Sequence, residues 1–114
     1  DTCTGTGAFL ITAMNKMFKK ANKIEKQKER EDKIENIKRK QLIGVEKLSH
    51  MYAMVCANMI FRGDGKSNIF NGSCFDFKDN IKALNPTHAI INPPYSQKGE
   101  DLQEIDFIQY SAGR

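Results

Sequence analysis

Residues 42–46 read Leu-Ile-Gly-Val-Glu: short, apolar, β-branched and closed by an acid. This composition suits a buried strand. Upstream, Phe9, Leu10, Ala13, Met14, Met17 and Phe18 recur at helical spacing and predict a helix that starts near Gly7 or Ala8. Downstream, Leu48, Met51, Tyr52, Val55 and Met59 mark a second amphipathic helix, stopped by Gly63 and Gly65. NIFNGSCF, residues 68–75, holds another short strand and a turn at Asn71-Gly72, and residues 76–84 can make one or two helical turns. Residues 87–91, THAII, read as a third apolar strand, and a final helix starting around residues 102–104 carries Ile105, Phe107 and Ile108. Strands alternating with helices imply parallel pairing and a layered α/β fold. In such sheets ligands bind beyond the carboxyl ends of the strands.

A chain of 114 residues holds at most one domain. Its first residues already have the character of a functional loop, so it is expected to be a piece of something longer. No run approaches the length of a membrane span, and the start lacks the charged-then-apolar layout of a signal peptide. Cys3, Cys56 and Cys74 are odd in number and widely spaced, which argues against a disulfide framework or zinc site and suits a reducing cytoplasm. His50 and His88 are isolated from other ligands, so no metal is expected. The net charge of +4 is uneven: residues 16–40 hold eleven Lys/Arg against five Asp/Glu, +6, which leaves −2 for the remainder. Such a segment can follow a phosphate backbone, but its Lys and Glu are interleaved with partial i,i+4 complementarity. Ile24, Ile34 and Ile37 are too few for a continuous core face. A solvated, charged helical insertion around residues 19–40 is the expectation.

The motifs fall at the ends of the expected strands. DTCTGTGAF places Asp1, Gly5 and Gly7 just before a helix, where glycines let the backbone approach a ligand and the helix N–H groups point at it. One Gly-x-Gly is a weak signal by itself. Glu46 closes its strand as an acid able to accept hydrogen bonds from both hydroxyls of a ribose; an ordinary strand-end carboxylate is the alternative. After the third apolar run come Asn92, Pro93, Pro94 and Tyr95. A plain turn has use for a Pro or a Gly but not for this whole set.

Taken in order, DTCTGTGAFL, LIGVE, NGSCF and NPPY resemble the S-adenosylmethionine-dependent DNA adenine-N6 methyltransferases, above all the modification subunit of type I restriction–modification systems. The resemblance implies a partial Rossmann-like fold, three αβα layers around a mostly parallel sheet, with residues 1–114 as part of one catalytic domain. It also implies a first strand before Asp1, lying between residues 42–46 and residues 87–91. Asp1, Cys3, Gly5 and Gly7 fall where the family wraps the methionine part of the cofactor, and Phe9 where a side chain packs beside it. Glu46 falls on the ribose-binding acid. Ser73 and Cys74 lie where an acid commonly meets the adenine amino group, so the serine is a departure; Phe107 falls where a side chain flanks that ring. The implied partners are double-stranded DNA with a flipped adenine and a specificity subunit or target-recognition domain.

The same resemblance gives NPPY a chemistry. An exocyclic amine is a poor nucleophile because its lone pair is delocalised into the ring. The Asn92 side-chain oxygen and the Pro93 carbonyl can accept its two protons and draw the nitrogen towards tetrahedral geometry, while the prolines hold that carbonyl rigidly. Tyr95 offers a stacking face that offsets part of the few kcal/mol of base flipping. No cysteine is needed as a nucleophile. Three other readings compete: a protein-glutamine methyltransferase of the release-factor type, which also carries Asn-Pro-Pro-Tyr; a truncated, non-catalytic cofactor-binding remnant; and a helical nucleic-acid binder built on the basic segment.

Overall fold

The computed structural model describes residues 1–93, which form a mixed α/β unit. In chain order the elements are α1 (Ala8–Ala21), α2 (Gln27–Asn36), a π-helical turn (Ile37–Gln41), β1 (Ile43–Glu46), α3 (Ser49–Phe61), β2 (Asn68–Asn71) and α4 (Lys78–Ala83). The expected strands at residues 42–46 and 68–71 form, as do the helices around them. Pro94, Tyr95, Phe107 and the expected last helix lie outside the described residues.

β1 and β2 pair in parallel, Ile43 opposite Asn68 through Glu46 opposite Asn71, with α3 as the crossover. Successive strand residues face opposite sides of the sheet. Leu42, Gly44 and Ile69 share one side with α1 and α3, where Leu10, Met14, Val55 and Met59 form the core with Ile37. On the other side Phe70 stacks on Phe77, with ring centroids 4.9 Å apart. Gly44 sets how closely α1 approaches: a Cβ there would lie 2.7 Å from Leu10 Cδ1 and 2.8 Å from Thr4 Cγ2. Asp64, buried in the turn before β2, is satisfied by the Lys66 N–H at 2.9 Å and by the Ser67 hydroxyl.

The basic segment, residues 16–40, spans the end of α1, all of α2 and most of the π-turn. α2 has no buried residue, Glu35 pairs with Arg39 and Lys66, and Ile37 anchors the segment through the π-turn. Leu48 is 54% exposed because it precedes the first turn of α3; Val55 and Met59 carry that helix's core face.

Residues 87–91 do not form the expected third strand. Among the described residues THAII has no strand beside it, and β1 is flanked on both sides. One side holds β2. On the other, the Asp1 nitrogen donates to Ile43 O (2.9 Å), Val45 N to Asp1 O (2.9 Å) and Thr4 N to Val45 O (3.1 Å). THAII instead runs largely exposed along a cavity of about 650 Å³ that it shares with Asp1, Phe9, Ile43 and Val45. The sheet of the described residues is therefore two-stranded, narrower than the three strands read from the sequence.

Gly44→Ala is expected to destabilise the protein by about 1–3 kcal/mol, the usual penalty of overpacking, because the added methyl would meet Leu10, Thr4 and Ile69 at once. Thermal or denaturant unfolding measures it.

Candidate active site

Three segments meet at the carboxyl end of β1. Residues 1–7 form a loop held at successive points. Asp1 Oδ1 accepts the Cys3 N–H (3.0 Å), and both the N–H and the hydroxyl of buried Thr4 donate to Val45 O (3.1 and 2.7 Å). The Gly5 N–H donates to Glu46 Oε2 (2.7 Å), and Asn58 of α3 donates through Nδ2 to Thr6 O (3.0 Å). Gly7 closes the loop and starts α1 at φ +88°; its missing Cβ would stand 2.6 Å from Val55 Cγ2, so conformation and space both require glycine. Gly5 is also left-handed, at φ +54°, but its Cβ direction is open except for Met51 Cε at 3.9 Å.

Glu46 is buried, and among the described residues its two oxygens are each used once, Oε2 by Gly5 N and Oε1 by Leu48 N (2.9 Å). A carboxylate has about four acceptor positions, so two remain. Two is also the number that a vicinal diol requires. The strand-end carboxylate expected from the sequence is thus also the clamp that holds the glycine loop.

The third segment follows β2. Gly72 N donates to Glu46 O (2.9 Å), which brings the 72–74 turn against the end of β1. Ser73 serves that turn: its carbonyl accepts Asp76 N (3.1 Å) and its hydroxyl accepts Phe75 N (3.4 Å). Cys3 and Cys74 are half-buried. Burial pushes both thiols up; the nearby Glu46 charge adds to this at Cys3, and the proximity of Cys3 adds to it at Cys74.

Cys3, Gly5, Glu46, Ser73 and Cys74 are therefore gathered at the carboxyl end of β1, with Gly7 at the end of the loop. Asp1, bonded to Ile43 and Val45, and Phe9, 41% exposed, both line the cavity beside residues 84–90. Asn92 and Pro93 are exposed just past that cavity, and among the described residues no hydrogen bond links Asn92 to the loop. Thr4, Asn58 and Asn71 have places in the site that sequence reasoning missed. Their bonds reach across 41, 52 and 25 residues, and no local pattern encodes such partners. Among the described residues no three His, Cys, Asp or Glu side chains gather as a metal site.

The family model for N-6 DNA Methylase matches residues 1–113. The chain belongs to the N-6 DNA methylase family. A curated relative, the type II restriction enzyme and methyltransferase RM.BcgI of Heyndrickxia coagulans, is 40% identical over 114 residues. That match covers 96% of this chain but 17% of the relative, so the chain spans about a sixth of that protein's length. No solved structure gives a significant match. No helix of the described residues is long and apolar enough to cross a membrane.

The thiols of this N-6 DNA methylase chain provide a check on the site. A raised pKa keeps a thiol protonated at neutral pH, and only the thiolate alkylates readily. Iodoacetamide labelling of Cys3 and Cys74, read by peptide mass spectrometry, is expected to be slower than that of a free thiol at pH 7 and to catch up only at more alkaline pH than a free thiol needs, as the raised thiols ionise.

Proposed function

We propose that this chain is part of an enzyme that transfers a methyl group from S-adenosylmethionine to the N6 amine of adenine in DNA, within a restriction–modification system. Residues 1–114 are its run from cofactor loop to catalytic loop, in a Rossmann-like domain with helices on both faces of a wider parallel sheet. The observation that carries the reading is the convergence of the glycine loop, Glu46 and the 72–74 turn on one carboxyl edge, in a chain matched end to end by the family. The match to a DNA methylase family and the likeness to RM.BcgI favour DNA over a glutamine peptide as the acceptor.

The donor set fits the cofactor. Glu46 keeps two acceptor positions for the ribose hydroxyls, and Gly5 leaves the loop backbone open where a Cβ would intrude. Asp1, Cys3, Gly5 and Gly7 shape the wall for the methionine part. Phe9 packs beside it, and Ser73, Cys74 and Phe107 flank the adenine. The Ser73 hydroxyl already accepts Phe75 N at 3.4 Å, so contact with the adenine amino group is weaker there than an acid would give, or comes from the Cys74 backbone. The cofactor supplies the methyl group when bound. Asn92 Oδ1 and the Pro93 carbonyl accept the two N–H bonds of the target amine. Pro94 stiffens that loop, and Tyr95 stacks on the flipped base. The exposure of Asn92 and Pro93 leaves both acceptors open to a base delivered from DNA. Reading a particular DNA sequence falls to a specificity subunit or target-recognition domain.

Two substitutions in the complete protein separate binding from chemistry. Glu46→Ala is expected to weaken S-adenosylmethionine binding by about 2–3 kcal/mol, as loss of hydrogen bonds to a charged group does. An unchanged dissociation constant by calorimetry would remove the ribose assignment. Asn92→Ala is expected to leave cofactor affinity nearly intact and to slow methyl transfer roughly a hundredfold or more, by analogy with the loss of one oxyanion-hole donor. Single-turnover transfer of labelled methyl to an adenine-containing duplex measures it, and the parent rate would show that NPPY is a surface turn.

A further inference from the structure

We propose that Asn71 is a positioning residue for the cofactor's ribose: its carboxamide sets where the Glu46 carboxylate stands. The inference rests on the reading of Glu46 as the ribose-binding acid. β1 and β2 end level with one another, Glu46 opposite Asn71. Beyond that level no strand pairing holds the link between β1 and α3, although this link carries the carboxylate.

The Asn71 side chain takes over where the ladder stops. Its Nδ2 donates to Glu46 O at 2.8 Å and lies 3.4 Å from Lys47 O, while Oδ1 accepts the Ser49 hydroxyl at 3.2 Å. Two carbonyls can only accept, so the amide nitrogen must face them, and the orientation of the carboxamide is determined by chemistry. One side chain thus binds residues 46, 47 and 49 of the link. Glu46 O also accepts Gly72 N at 2.9 Å, which fills both of its lone pairs from the β2 side. The carboxylate in turn reaches Gly5 N at 2.7 Å and Leu48 N at 2.9 Å. A shift of the link moves the carboxylate against the glycine loop and misplaces its two remaining acceptor positions.

Asn71 itself is exposed. Its removal takes little apolar surface out of the core, so its effect on the site separates from any effect on global stability. The acid is the most informative replacement: Asn71→Asp keeps the size and the acceptor for Ser49 but turns an oxygen towards two carbonyls. It is expected to perturb the link more than Asn71→Ala.

The test uses the complete protein and two ligands, S-adenosylmethionine and its analogue lacking the ribose 2′-hydroxyl. Titration calorimetry gives the ratio of their dissociation constants, and thermal unfolding gives stability. In the parent the ribose form should bind roughly tenfold or more tightly, the worth of one hydrogen bond to a carboxylate. Asn71→Ala should reduce that ratio several-fold and Asn71→Asp further, with the 2′-deoxy analogue bound nearly as in the parent and the melting temperature little moved. Glu46→Gln is the reference and should also lower the ratio. If Glu46→Gln lowers it while both Asn71 variants retain the parent ratio, Asn71 has no positioning role and the ribose reading of Glu46 stands. If the Asn71 variants lose affinity for both ligands equally along with stability, the residue is only structural and the proposal is wrong. If Glu46→Gln itself leaves the ratio unchanged, the ribose reading fails and takes the proposal with it.

Discussion

The carboxylate of Glu46 accepts one backbone N–H from the glycine loop and one from the entry to α3, and the site is arranged around that pair of bonds. A buried carboxylate needs partners for its charge, and donors from two different segments oblige those segments to stay together. The strand end, the loop before α1 and the start of α3 are thereby fixed to one another. The side chain that holds the loop keeps two acceptor positions free, so the same group can both build the site and serve a ligand in it. Hydrogen bonds to a charged group contribute about 1.5–3 kcal/mol, which adds to the bonds of Thr4 with Val45 O and of Asn58 with Thr6 O in ordering the seven-residue loop.

Two glycines allow that arrangement by leaving room. Gly44 lets α1 and Thr4 press on the sheet, and Gly7 lets the loop turn into α1 against Val55. Both positions are sterically closed to a side chain, whereas Gly5, next to the Glu46 carboxylate, faces open space. The contrast is physically informative: glycine packs the scaffold at one place and exposes the backbone at another. The charged helix α2 lies at the margin of this packing. It has no fully buried residue and touches the core through Ile34 and, in the turn that follows, Ile37, while its three basic and four acidic side chains stay at the surface.

Much of the molecule was legible in the sequence. The apolar, β-branched run at residues 43–46 became β1, the helical spacing from Phe9 to Phe18 became α1, and the interleaved charges of residues 27–36 became a helix with no core face. These are local properties, carried by side-chain periodicity and by the spacing of glycines. The order of DTCTGTGAFL, LIGVE, NGSCF and NPPY was enough to indicate the family, because each is a short local pattern and their order along the chain is itself a sequence property.

Tertiary structure decided the rest. THAII has the composition of a strand, yet composition supplies no pairing partner, and among the described residues no strand lies beside it. Glu46 could be read as a ribose acid or a strand-end carboxylate, but its role as a loop clamp depends on Gly5, 41 residues away. Asn71 looked like half of a turn, and only folding shows its amide bridging two carbonyls across the sheet end. Sequence by itself determined that residues 8–21 and 49–61 become helix and residues 43–46 and 68–71 strand, since propensity and periodicity act over a few residues. Which edges pair and which side chains reach the site was settled by contacts distant in the chain, since hydrogen-bond partners are set by position in space.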